Sequence, residues 1–457
     1  MAGRSDPGRA IARSRDGTAA DSASDPIGTA PTVVERVVYR DGTADGAVDV
    51  AIVYEIPESV SKLAFWIERP TVSVVATDGF ERSDVGGYTW QGSVDGPAFE
   101  WDGTGERATV ICRQSLTADR PSTYGAGTED WALCLRPRTH TRWRYRGAEP
   151  RIDRRAAVQG PGMAGEQFAY IGAHDLTERQ VSAETVRLVV PAAARLAAKP
   201  DRILDSLAAA SGRLDVGGRN DVVTVFVAPT DGASWAHRGL SLGPDARVND
   251  DADLAAPTNI WVHEYVHTRQ ERAATTPETE WLLEATAEYY ALTQAFERGA
   301  IGFPAYRRVL ERGVGDESPD VVLADPSTWA DDAQYRTGAL VVAALDRRIR
   351  AASGGETTFQ AVLRAWNRSS PAPFDARAFA DAVDRAGGPA ARAAAIAYTQ
   401  TPTTPRPWSA STHAATFDVS RAACGAKPEA IDAVPSLGAP VEGVGDAAID
   451  SAAARHR

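Results

Sequence analysis

Two textures of hydrophobic and polar positions divide the chain. From Val33 onward, short β-branched and aromatic runs (VVERVVYR, VDVAIVYEI, KLAFWIE, TVSVVAT, AFEW, ATVICR) are separated by Asp/Gly turns. Runs of that length and spacing predict strands of an antiparallel β-sandwich spanning residues 32–160. Residues 136–155 hold eight arginines, with Trp143 and Tyr145 set between Arg142, Arg144 and Arg146. Arginines interleaved with aromatics can stack on nucleic acid. Strict alternation is also what a strand with one buried aromatic face and one solvated face shows, and that reading carries more weight here.

The second texture starts near Gly165. FAYIGAH and DVVTVFVAP read as strands, and residues 186–214 (VRLVVPAAARLAAKPDRILDSLAAASGRL) as a helix with apolar residues three and four apart. After the Gly-rich HRGLSLGPDARV come two strong helical patterns, TNIWVHEYVHTRQER and TPETEWLLEATAEYYALTQAFERG. In the second, Thr276 suits an N-cap, Pro277 the first helical position and Gly299 the stop. Residues 301–400 remain helical in pattern. The expected organisation is α+β: a disordered leader at 1–31, the sandwich at 32–160, a mixed domain at 161–300, a helical part at 301–405 and a loosely ordered tail at 406–457.

Composition narrows the class. Of 457 residues, 61 are Asp or Glu and 49 Lys or Arg, so the formal net charge is 49 − 61 = −12. Only Lys62, Lys199 and Lys427 are lysines, a bias that a GC-rich genome or a salty cytoplasm would produce. A net −12 argues against a general nucleic-acid role, since phosphate contacts need a positive face. The opening residues lack the apolar run of a secretory signal, and no stretch of about 18 apolar residues occurs to span a membrane. Three cysteines (Cys112, Cys134, Cys424) are too few for a disulfide scaffold. Cys112 and Cys134 lie in neighbouring strand-like segments where a pair is conceivable, but buried free thiols fit a reducing compartment better. A soluble cytoplasmic protein is expected, its oligomeric state open.

Chemistry enters with His263-Glu264-Tyr265-Val266-His267. On a helix, positions four apart share a face, so both imidazoles reach one metal. Zinc suits such a set, with two His, one carboxylate and a water. Glu264 then serves a metal-activated water as general base. One helix downstream, Trp281-Leu-Leu-Glu284-Ala-Thr-Ala-Glu288-Tyr289-Tyr290 supplies carboxylates one turn apart. Glu284 is placed as third ligand and Glu288 as acceptor for the far nitrogen of a ligand His.

HEYVH followed by WLLEATAEYY resembles the gluzincin metallopeptidases, whose pattern is H-E-x-x-H and then W-x-x-E-G-x-x-x-Y. Similarity is greatest to the glycyl aminopeptidase family, with the membrane alanyl aminopeptidase family more distant. The resemblance implies a thermolysin-like catalytic domain and one Zn2+ per chain on His263, His267 and Glu284, with Glu264 catalytic. Tyr335-Arg-Thr-Gly338-Ala-Leu is similar to the Y-x-K-G-x-L segment of both families, which implies that the Tyr335 hydroxyl stabilises an oxyanion. Ala285 departs from the usual Gly, and Thr337 from the usual Lys. The similarity spans about Val33 to Pro405, and no PDZ-like module is evident.

The resemblance also implies a substrate strand upstream of the metal helix, here Arg238 to Gly243. Gly239, Leu240 and Ser241 would add a peptide by backbone hydrogen bonds, with His237 and Arg238 flanking. The strand has no Glu to hold a free amino terminus, and Glu280, Glu288 or Asp245 could replace it only if the fold brought them there. The expected function is a zinc metallopeptidase on peptide substrates, an aminopeptidase among the activities implied. A zinc hydrolase on a non-peptide amide or ester, and a silent peptide- or partner-binding protein, are the alternatives.

Overall fold

A computed structural model describes residues 30–40, 46–68, 72–83, 87–89, 92–94, 98–103, 105–116, 121–123, 125–314, 320–329 and 332–417. Most of the expected leader, the tail beyond residue 417, and Cys424 lie outside the described residues. The fold is mixed α+β and groups into two compact units, one of residues up to 115 plus 136–160, the other of 116–135 plus 161 onward.

In the first unit the β-branched runs form two sheets. One has the order Arg151–Gln159, Thr32–Arg40, Ala47–Glu55, Arg107–Ser115, Val72–Asp78; the other is Arg138–Tyr145, Val60–Glu68, Ala98–Trp101, Phe80–Ser83. Between them Tyr54 and Phe65 meet at 4.9 Å between ring centroids and Phe65 and Phe99 at 5.0 Å. The sandwich is not wholly antiparallel, because Thr32–Arg40 pairs in parallel with Arg151–Gln159. The interleaved arginines follow the solvated-strand pattern: Arg142 and Arg144 are exposed while Trp143 and Tyr145 are half-buried. Buried Glu35 accepts from Arg136 Nη2 (2.6 Å), Thr139 Oγ1 (2.7 Å) and Tyr54 Oη (2.6 Å), which satisfies an otherwise costly interior charge.

The expected 32–160 stretch is interrupted. Strands Gly125–Gly127 and Ala132–Leu135 join Phe168–Ile171 and Gly162–Ala164 in a sheet of the second unit. The reason is apolar: Trp131, Leu133 and Leu135 pack with Phe226 and Leu242 there.

The second unit's main sheet has the order His174–Val181, Glu184–Pro191, Val222–Ala228, Asp245–Asn249, Gly239–Leu242, with its three middle strands parallel. Residues 186–191, expected as helix, are therefore strand. A short apolar run such as VRLVVP reads alike in a buried helix and a buried parallel strand. Helices follow: α1 (Pro200–Arg213), α2 (Ile260–His267), α3 (Trp281–Glu297), α4 (Phe303–Glu311), α5 (Ala333–Ser353), α6 (Gln360–Asn367), α7 (Ala376–Gln400) and α8 (Ala410–Phe417). Thr276 caps a 3-10 turn, Pro277–Thr279, that leads into α3, and Gly299 follows its end at φ 71°.

One hydrophobic core runs from Val186 to Trp408, so the boundary expected at 300 does not divide this unit. The start of the expected loose tail is packed: the rings of Trp408, His413 and Phe417 form one mutually stacked cluster. Cys112 and Cys134 are free and buried, and burial pushes both thiols up to about 12. Among the described residues no helix is long and apolar enough to cross a membrane.

Candidate metal centre

Every residue of α2 is buried. Asn259 starts the helix, its side-chain oxygen accepting from the backbone N–H groups of Trp261 (3.0 Å) and Val262 (3.4 Å). Trp261, Tyr265 and Val266 anchor the helix in the core, which turns His263 and His267 to the opposite face. Their Nε2 atoms lie 3.1 Å apart. Helix α3 delivers Glu284, whose Oε2 lies 3.2 Å from each of those nitrogens.

Three electron-rich atoms thus form a nearly equilateral triangle. A tetrahedral ion with bonds of about 2.0–2.2 Å sets its ligand atoms about 3.3 Å or slightly more apart, close to what is found. Two nitrogens and one carboxylate oxygen are zinc's preferred catalytic donors, so the residues fit that ion. Burial lowers the His263 pKa, but Glu284 and Glu288 outweigh it and raise it to about 10. Glu284 is likewise desolvated, yet His267 and His263 hold its pKa well below the usual carboxylate range.

The far nitrogens of the imidazoles are also addressed. His267 Nδ1 lies 2.8 Å from Gln270 Oε1. Gln270 cannot flip, because its Nε2 donates to Leu283 O and to Thr286 Oγ1, each at 2.8 Å. Thr286 spends its own proton on Leu282 O. His267 must therefore carry its proton on Nδ1, leaving the Nε2 lone pair for the site. Nothing in the sequence reading pointed to Gln270; its position three residues after His267 was the available signal. His263 Nδ1 faces Glu288 Oε2 at 3.5 Å, the place expected for Glu288.

Glu264 is 4% exposed and its side chain lies against the strand Gly239–Leu242. The Ser241 hydroxyl lies 2.7 Å from Glu264 Oε2 and 2.8 Å from its carbonyl oxygen, and its single proton serves one at a time. A Cβ on Gly239 would sit 2.3 Å from Glu264 Oε1 and 2.6 Å from its Cγ, so any larger residue there requires the Glu264 side chain to move. The strand is the free edge of its sheet, antiparallel to Asp245–Asn249. Leu240 is half-buried on the opposite face from Ser241. Arg238 and His237 contribute carbonyls, accepting from Asn249 N (2.9 Å) and Arg247 Nη1 (3.1 Å) respectively. Asp245, one of the candidates for an amine anchor, is committed elsewhere: its Oδ2 accepts from the backbone of Gln167 (2.6 Å) and Phe168 (3.1 Å).

Tyr335 stacks on His263, with ring centroids 5.9 Å apart and planes 16° from parallel. It is carried by α5, which approaches α3 through Gly338; a Cβ there would lie 2.7 Å from Ala285 Cβ. The Ala285 that departs from the family pattern is therefore accommodated by glycine on the facing helix.

No protein-family model matches the chain, and no curated protein matches it in sequence. Solved structures do match. An M1 zinc metallopeptidase from Deinococcus radiodurans superposes with a TM-score of 0.53 at 13% identity, covering 83% of this chain and 95% of that one. The chain has the fold of the M1 zinc metallopeptidases. A variant of the same enzyme bound to a Tyr-Ser-Ala substrate gives 0.52 at 13% identity over the same shares. An aminopeptidase N family protein from Idiomarina loihiensis gives 0.50 at 13% identity, covering 77% of this chain and 72% of that one.

Proposed function

We propose that the chain is a zinc-dependent metallopeptidase of the gluzincin type acting on peptides. The observation that carries this is the convergence of His263 Nε2, His267 Nε2 and Glu284 Oε2, with the buried Glu264 next to His263 on the same helix. These three residues would hold the zinc, which when bound supplies Lewis acidity toward a carbonyl and a water.

The chain's own groups divide the remaining work. The edge strand Gly239–Leu242 takes an extended peptide by backbone pairing. Ser241 orients Glu264 through Oε2, leaving Oε1, beside Gly239, as the atom that accepts a proton and later returns it to the leaving amine. Tyr335 supplies a neutral phenol next to His263, a donor for charge developing on the substrate oxygen. Gln270 keeps the His267 imidazole oriented, and Glu288 faces His263 Nδ1 at 3.5 Å. Structural neighbours include one bound to a tripeptide substrate, in keeping with peptides as the substrate class. Free buried thiols support a reducing, cytoplasmic setting.

The test combines metal analysis with a mixed peptide library read by mass spectrometry, with and without chelator. One zinc per chain, lost in His263→Ala, and chelator-sensitive cleavage are expected. Glu264→Gln should keep its zinc and cut at least about 100-fold more slowly, the scale of a lost general base. Undiminished cleavage by that variant would remove Glu264 from the reaction.

A further inference from the structure

Arg247 lies in the strand Asp245–Asn249, one strand in from the sheet edge, paired in register with Leu240. It is completely buried. Its Nη1 donates to two neutral acceptors, His237 O at 3.1 Å and Asn249 Oδ1 at 3.4 Å. Nε and Nη2, which share one edge of the guanidinium plane, have no partner among the described residues. Trp235 covers the face of the group at 4.5 Å, which satisfies the π-face but not the in-plane N–H groups. Burial brings the Arg247 pKa down to about 10, with Glu264 acting the other way, so it stays cationic at neutral pH.

A buried cation is costly unless a counter-charge meets it, and removing two N–H groups from water without acceptors adds to that cost. The Nε–Nη2 edge is also the fork that takes a carboxylate in two parallel hydrogen bonds. Ser241 on the facing strand points at Glu264, so alternation puts Leu240 and Arg247 together on the other face of the sheet. A peptide added to the free edge of Gly239–Leu242 places every second side chain on that same face, two strand spacings (about 10 Å) from Arg247. Two long side chains extended toward each other bridge that gap. No carboxylate stands on the edge strand to receive an ammonium, and Asp245 is tied to the backbone.

We infer that Arg247 is a specificity-determining anchor for a substrate carboxylate, so that the site selects peptides acidic on the edge-strand side and disfavours cationic ones there. The inference rests on the metallopeptidase reading for its substrate, while the anion site can be read without catalysis.

Two measurements test it on the zinc-loaded, full-length protein. The first is thermal melting with glutarate, with acetate and with chloride. Glutarate should raise the melting temperature of the wild type, with no rise in Arg247→Met; equal shifts in both proteins overturn the site. The second is a panel of otherwise identical peptides carrying Glu, Gln or Lys at each position, with C-termini free or amidated. Wild type should prefer one internal Glu over Gln by about 30-fold or more in kcat/KM, mainly through KM, the scale of a buried charge pair. That preference should collapse in Arg247→Met and survive partly in Arg247→Lys. Preference following the free C-terminus instead would assign the carboxylate to the chain end. Cleavage of Glu, Gln and Lys peptides alike leaves the peptidase standing and overturns the inference. If no peptide is cut, the peptidase reading fails, and the glutarate shift still decides the anion site.

Discussion

Gly239 shows how closely a residue without a side chain can confine a neighbouring carboxylate, here the base proposed for the reaction. A methyl there would occupy the position of Glu264 Oε1, at 2.3 Å. Gly239→Ala should push the carboxylate off Ser241 while leaving His263, His267 and Glu284 in place. Zinc content should match the wild type while peptide cleavage falls at least about 100-fold, as for loss of the base itself. Gln270 predicts the opposite split. Gln270→Ala frees the His267 imidazole to rotate and change tautomer, so zinc affinity should drop by about 10- to 100-fold in competition with a chromogenic chelator. The candidate ligands were legible in the sequence because helical spacing puts His263 beside His267 and Glu284 one turn from Glu288, and the resemblance of HEYVH and WLLEATAEYY to the gluzincins pointed to the same residues. Gln270 and Arg247 were not. The helical pattern ran on to Arg272, whereas α2 ends at His267 and lets Gln270 turn back across α3. An arginine inside an apolar strand carries no mark of whether an acid awaits it.

Elements position these groups through a few close contacts. The strand Asp245–Asn249 is tied by Asp245 to the turn before Phe168–Ile171, at the cost of burying a carboxyl group. Burial raises the Asp245 pKa to about 7, and the backbone N–H groups of Gln167 and Phe168 only partly offset this. A folded-state pKa above the unfolded value of about 3.9 means the native protein holds the extra proton between those limits. Stability contributed by this group should therefore fall as pH rises from about 4 to 7. Asp245→Asn keeps an oxygen acceptor without the charge, so melting temperatures across that range should decline less steeply than in the wild type. An unchanged slope would mean that other groups set it. Strands of the first unit and helices beyond residue 300 were legible because their apolar periods are long or regular. Residues 186–191 were not: six apolar-rich residues fit a helix and a covered parallel strand equally, and only the partners Val222–Ala228 and His174–Val181 decide between them.

At the scale of the molecule, every atom of the proposed metal centre belongs to one of the two compact units, the one holding residues 161 onward. That unit's core is continuous from Val186 to Trp408, and α2, α3 and α5 all contribute to it. The first unit keeps its own interior of Tyr54, Phe65, Phe80 and Phe99 and its own buried ionic cluster at Glu35. The sequence showed a β-rich part before a metal helix, but not that residues 116–135 cross over, since their strands are three and four residues long and acquire identity only beside Phe168–Ile171. A ligand that binds one folded unit stabilises that unit by mass action, about 4 kcal/mol at a thousandfold excess over its dissociation constant. Calorimetry should therefore resolve two transitions, of which zinc raises one by several degrees and chelator lowers the same one. His267→Ala should abolish the zinc-dependent shift while leaving the other transition in place. A single transition that moves as a whole would show that the two units unfold as one, and a scan indifferent to zinc and chelator would remove the metal from the account of this fold.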